Sequence, residues 1–216
     1  MNLSNYAITT DRGAIPHIIN PDEYPFLNKP FHIYVDDIYY KDSYYFNKGD
    51  LPINTFLNIK SSVLTFKNRK RVLNTRKGNL VITQMQYNNL IKTVDANCYT
   101  EFDSDILIST DIPYRTFIAP ESLSEFVEMM GKGVLLGTAF INKMSNNYKM
   151  IYHKNGFYEV GDAGMGDGCM GYSKEYLLHL IEIKEMGVLT LLQLNNYFYL
   201  NQIYNEILNG KEVIIK

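Results

Sequence analysis

The sequence predicts a mixed α/β fold that ends in a wholly helical block, and three observations predict it. Residues 116–141 read as strand, helix, strand: Thr116-Phe117-Ile118-Ala119 is extended, Pro120-Glu121 opens a helix that Gly131 stops, and Val134 to Ile141 follows as a buried strand. Such a unit sets two parallel strands side by side through a right-handed crossover. Asn155-Gly156 sits between the β-prone runs Lys149-Met150-Ile151-Tyr152-His153 and Phe157-Tyr158-Glu159-Val160, and both turn residues tolerate positive φ, which marks a hairpin. From Ser173 onward the periodicity is helical, with Ser173 as a cap for a helix to about Met186 and a second helix from about Leu189 to Leu208, ended by Gly210.

The elements before this block are shorter. Phe31-His32-Ile33-Tyr34-Val35 and Ile38-Tyr39-Tyr40 are strands between turns, and Pro16, Pro21, Pro25, Pro30 and Pro52 exclude long helices from the first sixty residues. Ser62-Val63-Leu64-Thr65-Phe66 and Asn79-Leu80-Val81-Ile82-Thr83 are β-branched runs on either side of a basic stretch, and Met85 to Val94 reads as an amphipathic helix. Asn97 to Phe102 and Asp105 to Ser109 complete the strands. Gly161 to Gly171 is an irregular glycine-rich loop, a boundary between a region 1–160 and a C-terminal helical region 161–216.

Composition narrows the function classes. The chain has 216 residues, 46% of them hydrophobic and 20% charged, as in one globular core, and its formal net charge of -2 excludes a uniformly basic nucleic-acid binder. Any RNA contact must come from a local patch. Cys98 and Cys169 are the two cysteines, too few for a disulfide framework, and no apolar run reaches the length of a membrane span, so the expectation is a protein of the cytoplasm.

Several groups invite a chemical reading. The loop Gly161 to Cys169 resembles a phosphate cradle only superficially, since Cys169 and Met170 stand where Lys and Ser/Thr would be needed and two aspartates repel phosphate. Cys169 as a nucleophile needs a histidine partner, and none of His17, His32, His153 and His179 carries a local signature for that role. Asp36-Asp37, Asp103 and Asp105 place carboxylates at or near strand ends, where they serve acid/base work or metal binding or simply terminate strands. Lys67, Arg69, Lys70, Arg71, Arg76 and Lys77 put six cations in eleven residues without an acid, enough to hold a nucleic-acid backbone or to form a solvated loop.

The C-terminal block carries a more specific pattern. Cys169, Tyr172-Ser173, Tyr176-Leu177-Leu178-His179-Leu180, Glu185-Met186 and Asn195-Asn196-Tyr197-Phe198-Tyr199 resemble, without gaps, the end of the tRNA-guanine (queuine) transglycosylase family. Ala119-Pro120-Glu121 to Val134 is similar to that family's late barrel helix and strand, Gly78 to Asp103 to the segment ending in its Phe-Asp-Glu, and Gly13-Ala14-Ile15-Pro16-His17 to the start of its accessory, non-catalytic subunit. The resemblance implies a (β/α) barrel with a C-terminal helical subdomain. A complete barrel takes about 250 residues, so the expectation is a shortened or incomplete TIM-type barrel that lost its middle between Asp105 and Tyr114, with open edges covered by unusual packing or a partner.

The departures are equally specific. At the positions matching the family's zinc ligands stand Gly164, Gly166, Cys169 and Asn195, so a single ligand survives, which implies no structural zinc and no other cofactor. Thr138 stands at the position matching the nucleophilic aspartate, which implies no catalytic residue of its own, while Asp103 matches the position that recognises the purine base. The resemblance thus implies a catalytically silent accessory subunit of a queuine tRNA-ribosyltransferase, forming a heterodimer with a catalytic homologue. The cations 67–77 would then meet tRNA, and the apolar faces around Tyr176, Leu180, Leu194 and Phe198 would serve the core or the interface. Two alternatives remain: a residual transglycosylase or 7-deazaguanine-binding protein using Asp103 and Asp105, and a binding protein repurposed from the scaffold.

Overall fold

The computed structural model describes residues 5–10, 23–35, 39–40, 43–44, 55–58, 63–67, 70–75, 78–94, 96, 98–104, 106–109, 113–153, 155–161, 168 and 171–216. In chain order the strands are β1 (Asn5–Thr9), β2 (Phe31–Tyr34), β3 (Tyr39–Tyr40), β4 (Ser43–Tyr44), β5 (Thr55–Asn58), β6 (Val63–Lys67), β7 (Lys70–Thr75) and β8 (Gly78–Thr83), followed by helix α1 (Gln84–Val94). Then come β9 (Cys98–Thr100), β10 (Leu107–Ser109), β11 (Phe117–Ile118), α2 (Leu123–Met129), β12 (Leu135–Gly137), α3 (Ala139–Asn146), β13 (Met150–His153), β14 (Phe157–Val160), α4 (Lys174–Glu182) and α5 (Gly187–Leu208).

The fold is mixed α/β around a curled seven-stranded sheet of order β10-β9-β5-β2-β1-β12-β11. All neighbours are parallel except β10 on β9, so the sheet is a partial barrel and not the full eightfold one. Its two edges meet. Ile106 bridges antiparallel to Thr116, and the Leu107 N–H donates to the Arg115 carbonyl at 3.1 Å. The edges expected to lie open are therefore joined by a short reversed strand. Along it Leu107 points inward and is buried, while Ile106 and Ile108 are exposed on the outside.

Side chains alternate between the two faces of the curl. Ala7, Cys98, Leu107 and Leu135 fill its interior with Tyr114 and Phe117 against them. Tyr6, Ile8 and Leu136 point outward into the main core, with Phe126, Phe140, Ile141, Leu194, Tyr197, Leu200 and Ile203 of the helices. A second core under α1 joins Ile33, Leu73, Ile82, Tyr87, Leu90 and Phe102.

Several expectations shift in register. The crossover is present, with Phe117 beside Leu135 in parallel, but Ser122 rather than Pro120 starts its helix, its hydroxyl accepting from the Glu125 N–H at 3.2 Å. The helix passes at Met130 into a 3-10 turn, Met130–Lys132, and Gly133, at φ +65, ends that turn, whereas Gly131 lies within it. The apolar run 134–141 is not one strand: it stops at Gly137, and Phe140, Ile141 and Met144 form the buried face of α3. A continuous apolar run fits a buried strand or a buried helix equally well, so periodicity could not separate them.

Within the basic stretch, Lys70–Thr75 forms β7, the central strand of a β6-β7-β8 meander. α1 opens on a reciprocal cap, the Gln86 N–H donating to the Thr83 hydroxyl at 3.2 Å while the Thr83 N–H donates to the Gln86 side chain at 2.9 Å. The hairpin forms where Asn155 (φ 59) and Gly156 (φ 136) allow it, and α4 is capped by Ser173, accepting from the Tyr176 N–H at 3.2 Å. Among the described residues no helix is long and apolar enough to cross a membrane.

Candidate functional site

The C-terminal ends of parallel strands are where a barrel of this kind gathers chemistry. Here β1 delivers Thr9, β2 delivers His32 beside it in register, and the residue after β12 is Thr138. α3 adds Asn142 and α5 adds Gln193 and Tyr197, all buried. Thr9 and Thr138 lock together: the Thr9 N–H donates to the Thr138 hydroxyl and the Thr138 N–H to the Thr9 hydroxyl, each at 2.9 Å. The Thr9 hydroxyl also lies 2.9 Å from His32 Nδ1. The Thr138 hydroxyl reaches the Ala7 carbonyl and the Tyr197 hydroxyl, both at 3.2 Å. Asn142 donates to the Thr9 carbonyl at 2.9 Å and accepts from Gln193 at 3.4 Å.

This cluster is neutral. Burial pushes the His32 imidazolium down to about 3, so the ring is uncharged at physiological pH, and burial raises Tyr197 well above the ordinary phenol range. The six side chains include no carboxylate, and the one weak base already faces a hydroxyl with Nδ1. Such an arrangement ties three strands to two helices.

Aromatic rings fill the mouth of the curl. Phe117 lies 4.5 Å from the His32 ring between centroids, and His32 stands edge-on to Tyr34 at 4.4 Å. Phe117 fits because residue 137 is glycine: a Cβ there would come within 2.6 Å of Phe117 Cζ. Just inside, burial pushes the Cys98 thiol up to about 11, which keeps it protonated and unreactive.

Of the remaining sequence candidates, those among the described residues lie outside the polar cluster. Asp103 is exposed in the turn after β9, outside the polar cluster. Lys67 and Lys70 pair across the β6–β7 turn and Lys70 is exposed, whereas Arg71 is turned inward, 9% exposed, with its guanidinium 5.5 Å from the Phe102 ring. Alternation along β7 sends Lys70 and Arg71 to opposite faces. The side chain of Lys67, together with Arg69, Arg76, Lys77, Asp36, Asp37, Asp105, His17, Gly13 to His17, Gly164, Gly166 and Cys169, lies outside the described residues.

Of the four interface candidates, Leu194 belongs to the main core and Leu180 to a cluster with Met150, Leu177, Val188 and Leu192. Phe198 is half-buried, edge-on to Phe26 at 5.7 Å. Tyr176 alone is exposed, stacked on Tyr172 at 5.7 Å. Asn195 is buried, and its amide donates to the Ile151 carbonyl at 2.8 Å, while Asn196 accepts from the Ile151 N–H at 2.6 Å. Two successive amides of α5 thus grip both backbone groups of one residue on the outer edge of β13. Asn196 also donates to the Lys149 carbonyl and the Ser145 hydroxyl, both at 3.1 Å.

No family model matches the chain. A stretch of 74 residues, 34% of the chain, is 37% identical to a queuine tRNA-ribosyltransferase of Prochlorococcus marinus strain MIT 9312, and 71 residues are 37% identical to the enzyme of that name from strain MIT 9215. Over that third, the chain is similar to tRNA-guanine transglycosylases. The match covers 20% and 19% of the two relatives, so the chain spans about a fifth of their length.

The sequence reading missed Thr9, Asn142, Gln193 and the joining of His32 to Thr138. β1 is buried on both faces and shows no alternation, and the partners of each residue come from distant segments. The signals available were the β-prone run Tyr6-Ala7-Ile8-Thr9 and an asparagine and a glutamine on otherwise apolar helix faces.

Proposed function

We propose that the chain is a catalytically silent accessory subunit of a queuine tRNA-ribosyltransferase, holding tRNA beside a catalytic homologue that exchanges guanine for queuine. One observation carries this reading: the hydroxyl of Thr138, the residue that the resemblance matches to the nucleophile, is neutral, fully buried and engaged with Thr9, Ala7 and Tyr197. A covalent step on ribose needs an attacking group that is exposed to substrate and activated by a base or by charge. Thr138 has neither property. The aromatic packing of Phe117 and Tyr34 on His32 supports the same reading, because it fills space at the strand ends where a barrel of this kind gathers its chemistry.

The helical block is held without the family's zinc. Asn195, one of the four positions matched to its ligands, commits its amide to the Ile151 carbonyl, and an amide is not among the side chains that hold zinc. Backbone clamping by Asn195 and Asn196 does the stapling instead. Phosphate contact falls to the β6–β7 hairpin, where Lys67 and Lys70 flank the turn, and not to Arg71.

The test is guanine exchange into tRNA by the purified chain alone and mixed with the catalytic homologue of the same source, with co-elution followed in the same samples. Exchange in the mixture only, with co-elution, is the expected result. Exchange by the chain alone refutes silence, and an absence of both exchange stimulation and co-elution refutes the accessory role.

A further inference from the structure

The two outer edges of the β13–β14 hairpin are closed in different ways. That of β13 is gripped by Asn195 and Asn196 from within the core. That of β14 is closed, among the described residues, by the segment 213–216. Gly210, at φ +73, turns the chain out of α5, with the Lys211 N–H donating to the Glu206 carbonyl at 3.0 Å. The segment then runs parallel to β14. Ile215 bridges Phe157, the Phe157 N–H donates to the Ile214 carbonyl at 3.0 Å, and the Lys216 N–H donates to the Phe157 carbonyl at 2.9 Å. Val213 and Ile215 pack half-buried against the main core and Ile214 points away, the period of a strand.

The segment is held lightly. Two backbone hydrogen bonds and two half-buried side chains oppose the entropy of ordering four residues, a balance typical of regions that open locally. Lys211 and Glu212, which link it to the glycine turn, are exposed. Two apolar residues flank this link uncovered: Leu208 is 40% exposed and Ile214 is 54% exposed.

We propose that the outer edge of β14 is a strand-acceptor site that takes the segment 211–216 of a second copy of this chain in place of its own, with Gly210 as the hinge. Every contact of the closed form is remade in the exchanged pair, because the donor segment and the acceptor edge are the same in both copies. The exchange adds one thing. Leu208 and Ile214, bare on the single chain, flank the crossing hinges and are covered where the two copies meet. Recognition is by main-chain hydrogen bonds at Phe157 and by apolar side chains at the two inward positions, as in other strand additions.

The experiment uses the full chain and its Val213→Asp/Ile215→Asp variant, whose acceptor edge is intact but whose own segment cannot fill it. The ligand is a labelled peptide with the sequence of residues 209–216. Saturable binding to the variant is expected, at least tenfold tighter than to the unmodified chain, whose own segment competes at high local concentration. A peptide carrying Ile215→Asp binds at least tenfold more weakly, and the unmodified chain shows a concentration-dependent dimer in sedimentation that the double variant lacks. Absence of saturable binding, equal binding of the Ile215→Asp peptide, or an unmodified chain that is monomeric at every concentration overturns the proposal. Should the double variant fail to fold, hydrogen exchange on the unmodified chain decides. The Phe157 and Lys216 amides are expected to exchange at least tenfold faster than the Ile151 amide, and equal protection overturns the proposal.

Discussion

Gly137→Ala tests whether the mouth of the curled sheet is filled by Phe117. The new methyl would lie 2.6 Å from Phe117 Cζ, 3.2 Å from Cε2 and 3.4 Å from the Thr9 hydroxyl, so the ring must move, and His32 packs on it at 4.5 Å. Overpacking of this kind costs about 1–3 kcal/mol. Phe117→Ala alone removes a half-buried ring and costs about 2–4 kcal/mol. With the ring gone the clash disappears, and Gly137→Ala then becomes neutral or stabilising by about 0.4–1 kcal/mol through the unfolded chain, since Gly137 does not need positive φ. The double-mutant cycle in urea therefore carries a coupling of about 1–4 kcal/mol in favour of the double variant, with unchanged m-values. Additive effects within about 0.5 kcal/mol refute the filling of the mouth by Phe117.

Burial of neutral His32 makes stability pH-dependent. Its folded value is depressed to about 3, so below the ordinary histidine range the unfolded chain binds a proton that the folded chain does not, and stability falls by about 1.4 kcal/mol per pH unit from about pH 6.5 toward pH 3. His32→Asn should flatten that slope by one proton in urea titrations between pH 4 and 6; an unchanged slope sinks the assignment. Asn196→Ala strips partners from the buried Ile151 N–H and Lys149 carbonyl and is expected to cost about 2–4 kcal/mol, read as a fall in the thermal midpoint. Lys70→Ala should lower the salt dependence of tRNA binding by about one unit without loss of stability, whereas Arg71→Ala, facing Phe102, should reduce stability first. The reverse order would mean that Arg71 is available to phosphate.

Local chemistry was legible in the sequence where one residue type decides a conformation. Asn155 and Gly156 adopt positive φ and make the hairpin, Ser173 caps α4, and Gly210 ends α5. The crossover from Phe117 to Leu135 was legible because its apolar runs are separated by a polar helix start. Illegible were the elements whose two faces are both buried. β1 offered no alternation, and the strand and helix that meet at Thr138 formed a single apolar run. The polar cluster was harder still, since Thr9 and Thr138 are 129 positions apart and Thr9 and Tyr197 are 188 apart. Resemblance pointed to Thr138, but that its hydroxyl is consumed by β1 and α5 is a tertiary fact.

The closure of the sheet and the filling of its mouth have one cause. Between β9 and β10 the chain has six residues, too few for a crossover helix, so β10 lies antiparallel to β9. A sheet closed by so short a strand has a narrow interior, which Ala7, Cys98, Leu107 and Leu135 suffice to fill. At the strand ends the same narrowness brings Phe117 over Gly137 and against His32, where a wider barrel would leave a cavity. Ile106 and Ile108 stand exposed on the outer side of that short strand. An aspartate placed at Thr138 would bury its carboxylate among the neutral groups of Thr9, Ala7 and Tyr197. Thr138→Asp is expected to lower stability by about 3 kcal/mol or more, as an unpaired buried charge does, and to leave guanine exchange at background.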